Sequence, residues 1–335
     1  MKMTVMGGGN IGTLMACEMA AKGHCVIVYT GQTEKWSEKL EVYTADEQLV
    51  LSAKVECVTN DLEVAVTGAD IIWVTYPAFM FQELAEKLVH VLEKGQMIGI
   101  VPGSGGVEKA FRELIEKEII IFGFQRVHSI ARIKEYGHSV YMLGRKKQLQ
   151  IAAIPDTMTA KLCQICEELF EMECILLPNY LTITLTPSNP ILHTTRLFCM
   201  FREWKPGVLY DHNILFYEEW NDEASELLIK CDDELQQLCH VIPEDMSYVI
   251  SLREHYESYS VSAMTEKISN IPAFKGIKSP MIKKGNGWIP DLQSRYFTAD
   301  FPYGLKVIID IAQKYHVPVP NMLRIWNWYE GLVNE

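Results

Sequence analysis

The spacing Gly7-x-Gly9-x-x-Gly12 is the first place in the chain where residue types imply chemistry. It follows Lys2–Met6, read as a short strand, and opens a segment with Ile11, Leu14, Met15 and Met19 on one helical face. Glycines at such a strand–helix junction suit a dinucleotide. Gly7 permits the tight turn, Gly9 leaves the backbone open to a pyrophosphate, and Gly12 lets the helix pack closely on the strand. The helix opening at Asn10 and Ile11 would turn its free N–H groups and partial positive charge toward the phosphates. The end of the next strand bears on cofactor choice. It reads Tyr29-Thr30-Gly31-Gln32-Thr33, with no Asp or Glu to hold the ribose hydroxyls of NAD. Thr30, Gln32 and Thr33 can donate hydrogen bonds to a 2′-phosphate, and Lys35 is near. No arginine is there to clamp it. The reading leans to NADP, with NAD as the alternative.

These residues need strands and helices to position them. Six segments read as strands: Lys2–Met6, His24–Tyr29, Lys54–Thr59, Ala69–Thr75, Met97–Val101 and Glu118–Phe124. Helical stretches such as Phe81–Leu92 alternate with them. That alternation predicts a parallel sheet covered by helices, a Rossmann-type α/β domain. A hairpin of Ser139–Leu143 with Gln148–Ala153 is expected next, turning at Gly144. Beyond Pro155 the periodicity becomes mostly helical, as in Thr157–Phe170, Ile191–Phe201 and Glu218–Leu238. The boundary is therefore set at Pro155, giving domains 1–155 and 156–335.

Composition excludes several classes. The chain has 335 residues, 48% hydrophobic and 22% charged, which is globular and large enough for two domains. A net charge of -12 argues against general nucleic-acid affinity. No apolar run approaches the roughly 20 residues of a spanning helix, and no signal-peptide pattern opens the chain. Nine scattered cysteines read as reduced and cytosolic. Cys163 and Cys166 form a CxxC, but inside an amphipathic helix and without a second pair, so core packing is expected and no metal.

Three further segments stand out: Leu185–His193 (LTPSNPILH), Ser294–Leu305 (SRYFTADFPYGL) and Phe124–Arg132 (FQRVHSIAR). Together with the Gly-rich start, this set resembles the octopine/nopaline (opine) dehydrogenase family across nearly the whole chain. The resemblance implies a Rossmann domain followed by an all-helical domain. It implies reduction, by NADP or NAD, of the imine formed between an amino acid and a 2-keto acid. By resemblance, His193 transfers the proton, Asp300 pairs with it, Arg295 binds the keto-acid carboxylate, and Gln125 and Asn189 belong to the substrate site. The chemistry fits those residue types. Imidazole titrates near neutrality, a carboxylate fixes its tautomer, and a guanidinium grips a carboxylate with two parallel bonds. Asn189 could cap the helix that carries His193, with Pro190 at its first position.

The sequence departs from the family pattern at His128-Ser129, where a proline–aromatic pair is expected. The chain is also short for the family. Small molecules are the expected partners, and a homodimer is left open. Two other functions stay in view. A ketopantoate-reductase-like or 2-hydroxy-acid dehydrogenase would call for a lysine acid on the helical domain, yet Lys161 and Lys230 lie in no motif. A dinucleotide-binding sensor without turnover would make His193 dispensable.

Overall fold

The computed structural model describes residues 1–186 and 189–334. The chain divides into two compact units, Met1–Thr184 and Leu185–Glu335. The first holds β1 (Lys2–Met6), β2 (Cys25–Tyr29), β3 (Lys39–Tyr43), β4 (Leu49–Lys54), β5 (Cys57–Thr59), β6 (Ile71–Val74), β7 (Met97–Ile100), β8 (Ile120–Phe124), β9 (Ser129–Glu135), β10 (Ser139–Arg145), β11 (Gln148–Ile154) and β12 (Glu173–Leu176).

Eight of these strands form one sheet in the order β12-β11-β8-β7-β6-β1-β2-β5. From β5 to β8 every neighbouring pair is parallel. The chain leaves β1 toward β2 on one side and later fills β6 on the other, so the order reverses at β1. That reversal is where dinucleotide-binding sheets of this kind hold their ligand. The central strands read as continuous apolar runs because both faces are covered. In β6, Ile71 and Trp73 enter one core cluster while Ile72 and Val74 enter the other.

A second sheet, ordered β4-β3-β10-β9, was not foreseen. Its Leu40, Val42, Ala131 and Val140 share a cluster with Leu14, Met15, Cys17 and Met19 of helix Asn10–Ala21. The helix is thus covered by both sheets, and every residue from Gly12 to Met19 is buried. A helix apolar nearly all round is what such burial requires.

Two sequence expectations need revision. Ser139–Leu143 and Gln148–Ala153 do not form a hairpin. β10 pairs with β9 and β3, whereas β11 pairs with β8 and β12. The end of β10 is exposed, but Ile151, Ala152 and Ala153 of β11 are fully enclosed and fit only an inner strand of the larger sheet. The division between units also falls after Thr184 and not at Pro155. Helix Thr159–Phe170 puts Leu162, Cys163, Cys166, Leu169 and Phe170 into the first unit's core, and β12 extends its sheet. The CxxC cysteines are packing residues of that core.

Among its described residues the second unit is helical apart from one hairpin, β13 (Met281–Lys284) with β14 (Gly287–Pro290). Its main helices are Asn189–Phe201, Asp222–Val241, Val261–Ser269, Lys306–Lys314 and Pro320–Asn334. Asn221 caps the longest of them by accepting a hydrogen bond from the Ala224 N–H at 3.0 Å. No described helix is long and apolar enough to cross a membrane.

The enclosed helix of the first unit carries one acid, Glu18. It accepts from Arg145 Nη1 at 2.6 Å and pairs with His128 Nε2 at 2.8 Å. Burial pushes its carboxyl up, yet His128 and Arg145 together hold it below the usual value. A carboxyl depressed in the folded state stabilises the fold above its unfolded pKa of about 4.3 and loses that contribution as pH falls through the folded value. Glu18→Gln should therefore cost about 1–3 kcal/mol at neutral pH, because it removes the buried carboxylate that His128 and the Arg145 guanidinium both bond to. Its stability should also depend less on acid than the wild type's. Urea unfolding of both proteins at pH 7 and pH 4 checks this, and equal stability at pH 7 would refute it.

Candidate active site

The Gly-rich turn is built on close approach. A Cβ on Gly12 would lie 1.9 Å from the Gly7 carbonyl oxygen, so only glycine lets the helix start here. Gly7 has φ +117°, a region closed to other residues, and a Cβ there would meet Thr75 Oγ1 at 2.5 Å. Thr75 ties β6 to the turn by donating to the Met6 carbonyl at 3.0 Å. Around Gly9 a Cβ would meet nothing within 4 Å. An open cradle at Gly9, faced by the unpaired first-turn N–H groups of a twelve-residue helix, fits a dinucleotide pyrophosphate.

The other residues named for the cofactor surround this cradle with different duties. Asn10 Oδ1 accepts from the Ile133 N–H of β9 at 2.8 Å, so its side chain anchors the helix start to the second sheet. Ile11 is half-buried and packs against the core. Thr30 is buried at the end of β2, where its Oγ1 accepts from the Gln32 N–H at 3.4 Å. Gln32 is exposed, and its Oε1 accepts from Lys35 Nζ at 2.9 Å. Sequence reasoning missed Trp36, whose ring lies 2.7 Å from where a Gly8 Cβ would stand, edge-on to Tyr136. The adjacency Gly7-Gly8-Gly9 was the available signal.

In the second unit, His193 projects from helix Asn189–Phe201. Its Nδ1 pairs with Asp300 Oδ2 at 2.8 Å and its Nε2 with the Tyr217 hydroxyl at 2.8 Å. The residue is only 7% exposed. Tyr296 covers one face, with centroids 4.6 Å apart, and Phe216 abuts it edge-on at 5.4 Å. Asp300 reaches His193 because the chain behind it makes a π-helical turn, Phe301–Leu305. That turn lies directly on the start of the His193 helix: a Cβ on Gly304 would come within 2.7 Å of Pro190 Cγ. π turns are rare and frequent at functional sites.

Arg196 sits one turn beyond His193 and is 3% exposed. Its Nε donates to the Phe216 carbonyl at 3.0 Å and its Nη2 to the Glu219 carbonyl at 2.7 Å. Burial lowers its pKa to about 10. The same helix thus holds the histidine and, through Arg196, the segment bearing Tyr217. Burial, and then the neighbouring Tyr296, Tyr256 and Asp300, push the Tyr217 phenol far above its usual range, so it stays protonated. Neither Arg196 nor Tyr217 was found from sequence, because no local spacing links residues brought together only by the fold.

Other sequence candidates fall around this pair or apart from it. Arg295 opens helix Arg295–Thr298 beside Tyr296; it is exposed, and its guanidinium makes no ion pair among the described residues. Asn189 is exposed and lies in the first turn of the His193 helix, not before it. The preceding Pro187 and Ser188 lie outside the described residues. Gln125 belongs to the first unit, where its N–H donates to the Gln150 carbonyl at 2.9 Å. The lysines of the reductase reading are elsewhere: Lys161 is exposed in the first unit, and Lys230 pairs with Glu226 at 2.7 Å.

A sheet that cradles a dinucleotide, followed by a helical unit with a buried histidine–aspartate pair, defines a class: the two-unit nicotinamide-dependent dehydrogenases. Comparison with known proteins narrows it. Residues 176–333 match the model of the NAD/NADP octopine/nopaline dehydrogenase alpha-helical domain. Residues 2–125 match that of the NAD-dependent glycerol-3-phosphate dehydrogenase N-terminus. The tauropine dehydrogenase of Arabella iricolor is 26% identical, with 99% of this chain and 91% of that protein covered. The octopine dehydrogenase of Mizuhopecten yessoensis is 24% identical over 100% of this chain and 90% of its own. A solved octopine dehydrogenase with NADH and L-arginine superposes with a TM-score of 0.89 at 24% identity, covering 99% of this chain and 89% of that one. Residues 176–333 carry the octopine/nopaline dehydrogenase helical domain, and the chain is an NAD(P)-dependent oxidoreductase.

Gly304→Ala should push the π turn off Pro190 and lengthen the His193–Asp300 contact. Turnover is expected to fall about 100-fold, the scale for a displaced catalytic group, with cofactor affinity unchanged. Steady-state kinetics beside dinucleotide fluorescence titration measure both, and wild-type turnover would show that the close approach does not set the pair.

Proposed function

We propose that this protein condenses the amine of an amino acid with a 2-keto acid and reduces the resulting imine to a secondary amine, and that it also runs the reverse oxidation. The observation that carries the reading is the 2.8 Å contact of His193 Nδ1 with Asp300 Oδ2. It forms between two segments whose sequences follow the family pattern, inside an apolar aromatic wall. When bound, the dinucleotide supplies or takes the hydride. His193 handles the proton: forming the protonated imine (the iminium ion) consumes one as water leaves, and an imidazole near neutral pH can give it. Asp300 holds the Nδ1–H tautomer and steadies the imidazolium. Arg295, exposed and without an ion-pair partner among the described residues, holds the keto-acid carboxylate. Asn189, one turn before His193, completes the substrate contacts of this unit.

The cofactor preference follows from the end of β2. The strand terminus itself carries no carboxylate, and the turn after it presents Gln32, Thr33 and Lys35 along with Glu34, a set that favours NADP over NAD through Lys35. Lys35→Glu should then raise the KM for NADPH about tenfold or more and leave that for NADH nearly unchanged, since it puts a negative charge where a 2′-phosphate would bind. An unchanged ratio of the two constants would remove the NADP preference.

The decisive experiment follows oxidation of NADPH, and separately of NADH, with pyruvate and other 2-keto acids. Each is run with and without a pool of amino acids, and products are read by mass. Oxidation that needs both substrates and yields a secondary amine is expected. Oxidation with keto acid alone would make the protein a simple reductase, and cofactor binding without turnover would make it a sensor. In the active protein, His193→Ala and Asp300→Asn should lower kcat by about 10²–10⁴-fold and spare cofactor affinity. Arg295→Ala should mainly raise the KM for the keto acid.

A further inference from the structure

We propose that Tyr217 is the third member of the proton-transfer group, and that His193 exchanges its proton with the substrate through the Tyr217 hydroxyl rather than directly. This rests on the function proposed above.

The geometry leaves His193 no unoccupied nitrogen. Nδ1 is taken by Asp300 and Nε2 by Tyr217, both at 2.8 Å. Tyr296 and Phe216 close the face and edge of the ring. A substrate oxygen could bond Nε2 only by displacing the phenol, and the phenol is firmly placed. Its ring stacks on Phe274 at 4.0 Å with an interplanar angle of 18°, and lies parallel to Trp220 at 6.5 Å. The carbonyls on either side of it, at Phe216 and Glu219, are held by the buried Arg196 guanidinium. Trp220 lies under that guanidinium at 5.6 Å, and its indole N–H is bonded to Ser225 Oγ at 2.9 Å. A swinging tyrosine would break the stack and the hydrogen bond together.

The step balances without a further reagent. In the condensing direction the amine adds to the carbonyl carbon as the C=O π pair moves to oxygen, and one of the amine's own protons passes to that oxygen, giving a carbinolamine. Tyr217 donates its hydroxyl proton to the carbinolamine oxygen as the C–O bond breaks. In the same step its oxygen takes the proton from His193 Nε2. The nitrogen lone pair forms the C=N bond of an iminium ion, which carries the positive charge that His193 gives up, and water leaves. Tyr217 ends as it began, His193 passes from imidazolium to imidazole, and Asp300 remains a carboxylate. The reverse direction runs the same transfers backward.

Tyr217→Phe keeps the stack and removes one oxygen. A relay predicts that kcat falls at least 100-fold, while the KM values for both substrates and the dinucleotide affinity stay within about threefold. This magnitude is that of losing a positioned acid. The second variant keeps the oxygen: 3,5-difluorotyrosine installed at position 217, a more acidic phenol. If the proton passes through Tyr217, the basic limb of the kcat–pH profile moves to lower pH; a packing tyrosine would leave the profile where it is. Tyr217→Phe with near-wild-type kcat, or an unmoved profile with difluorotyrosine, overturns the relay. His193→Ala measured alongside separates the two readings. If it is inactive while Tyr217→Phe is active, only the relay fails; if His193→Ala is itself fully active, the function proposed for the dyad fails and the relay with it.

Discussion

The second unit depends on one missing methyl group. Gly304 lets the π turn Phe301–Leu305 settle onto Pro190, at the start of the helix that carries His193. Any side chain there would wedge the two segments apart. Asp300 immediately precedes the turn and His193 follows Pro190 by less than one helical turn, so their separation is set by that contact. The hydrogen bond between them is consequently preorganised by backbone packing and not by the flexibility of either side chain, as an electrostatic site requires. The first unit solves its own problem in the same way. Gly12 against the Gly7 carbonyl brings a helix terminus onto a strand end, and Thr75 clasps the turn from β6.

Two histidine–carboxylate pairs with the same 2.8 Å separation show why context assigns their roles. His128 is fully buried in the first unit against Glu18, and the Arg145 guanidinium bonds the same carboxylate. That carboxylate is a structural charge, held by partners on β10 and just before β9, and it fastens the second sheet to the enclosed helix. His193 instead has a single carboxylate on one nitrogen and a neutral phenol on the other, within a wall of aromatic rings. The first arrangement locks a charge in place. The second leaves a proton free to move along a short line of three groups.

Much of this was legible from sequence, for identifiable reasons. The central strands announce themselves because burial on both faces demands unbroken apolar runs such as Ile71–Val74. The Gly-rich turn is local, so its spacing survives in the sequence. The second sheet was hidden because its strands Lys39–Tyr43 and Leu49–Lys54 carry charges on an exposed face and contribute only alternate residues to the core. The boundary at Pro155 reflected a true change to helical periodicity, but periodicity does not say which core a helix joins. His193, Arg295 and Asp300 were named from resemblance, and the fold brings His193 and Asp300 into contact. Arg196 and Tyr217 had no such marker. Their placement comes from buried carbonyls and ring stacking that exist only once the unit has folded.

The enclosure of helix Asn10–Ala21 also orders events in time. One of its faces is covered by strands ending near residue 54, but the cover is completed by β9 and β10, more than a hundred residues downstream. During synthesis the segment therefore emerges early and waits, an apolar helix with a charged Glu18 and no partner for it, until His128 and Arg145 have left the ribosome. Contacts of that sequence separation are slow to close. The dinucleotide cradle, first in the chain, can become rigid only when most of the first unit has been made.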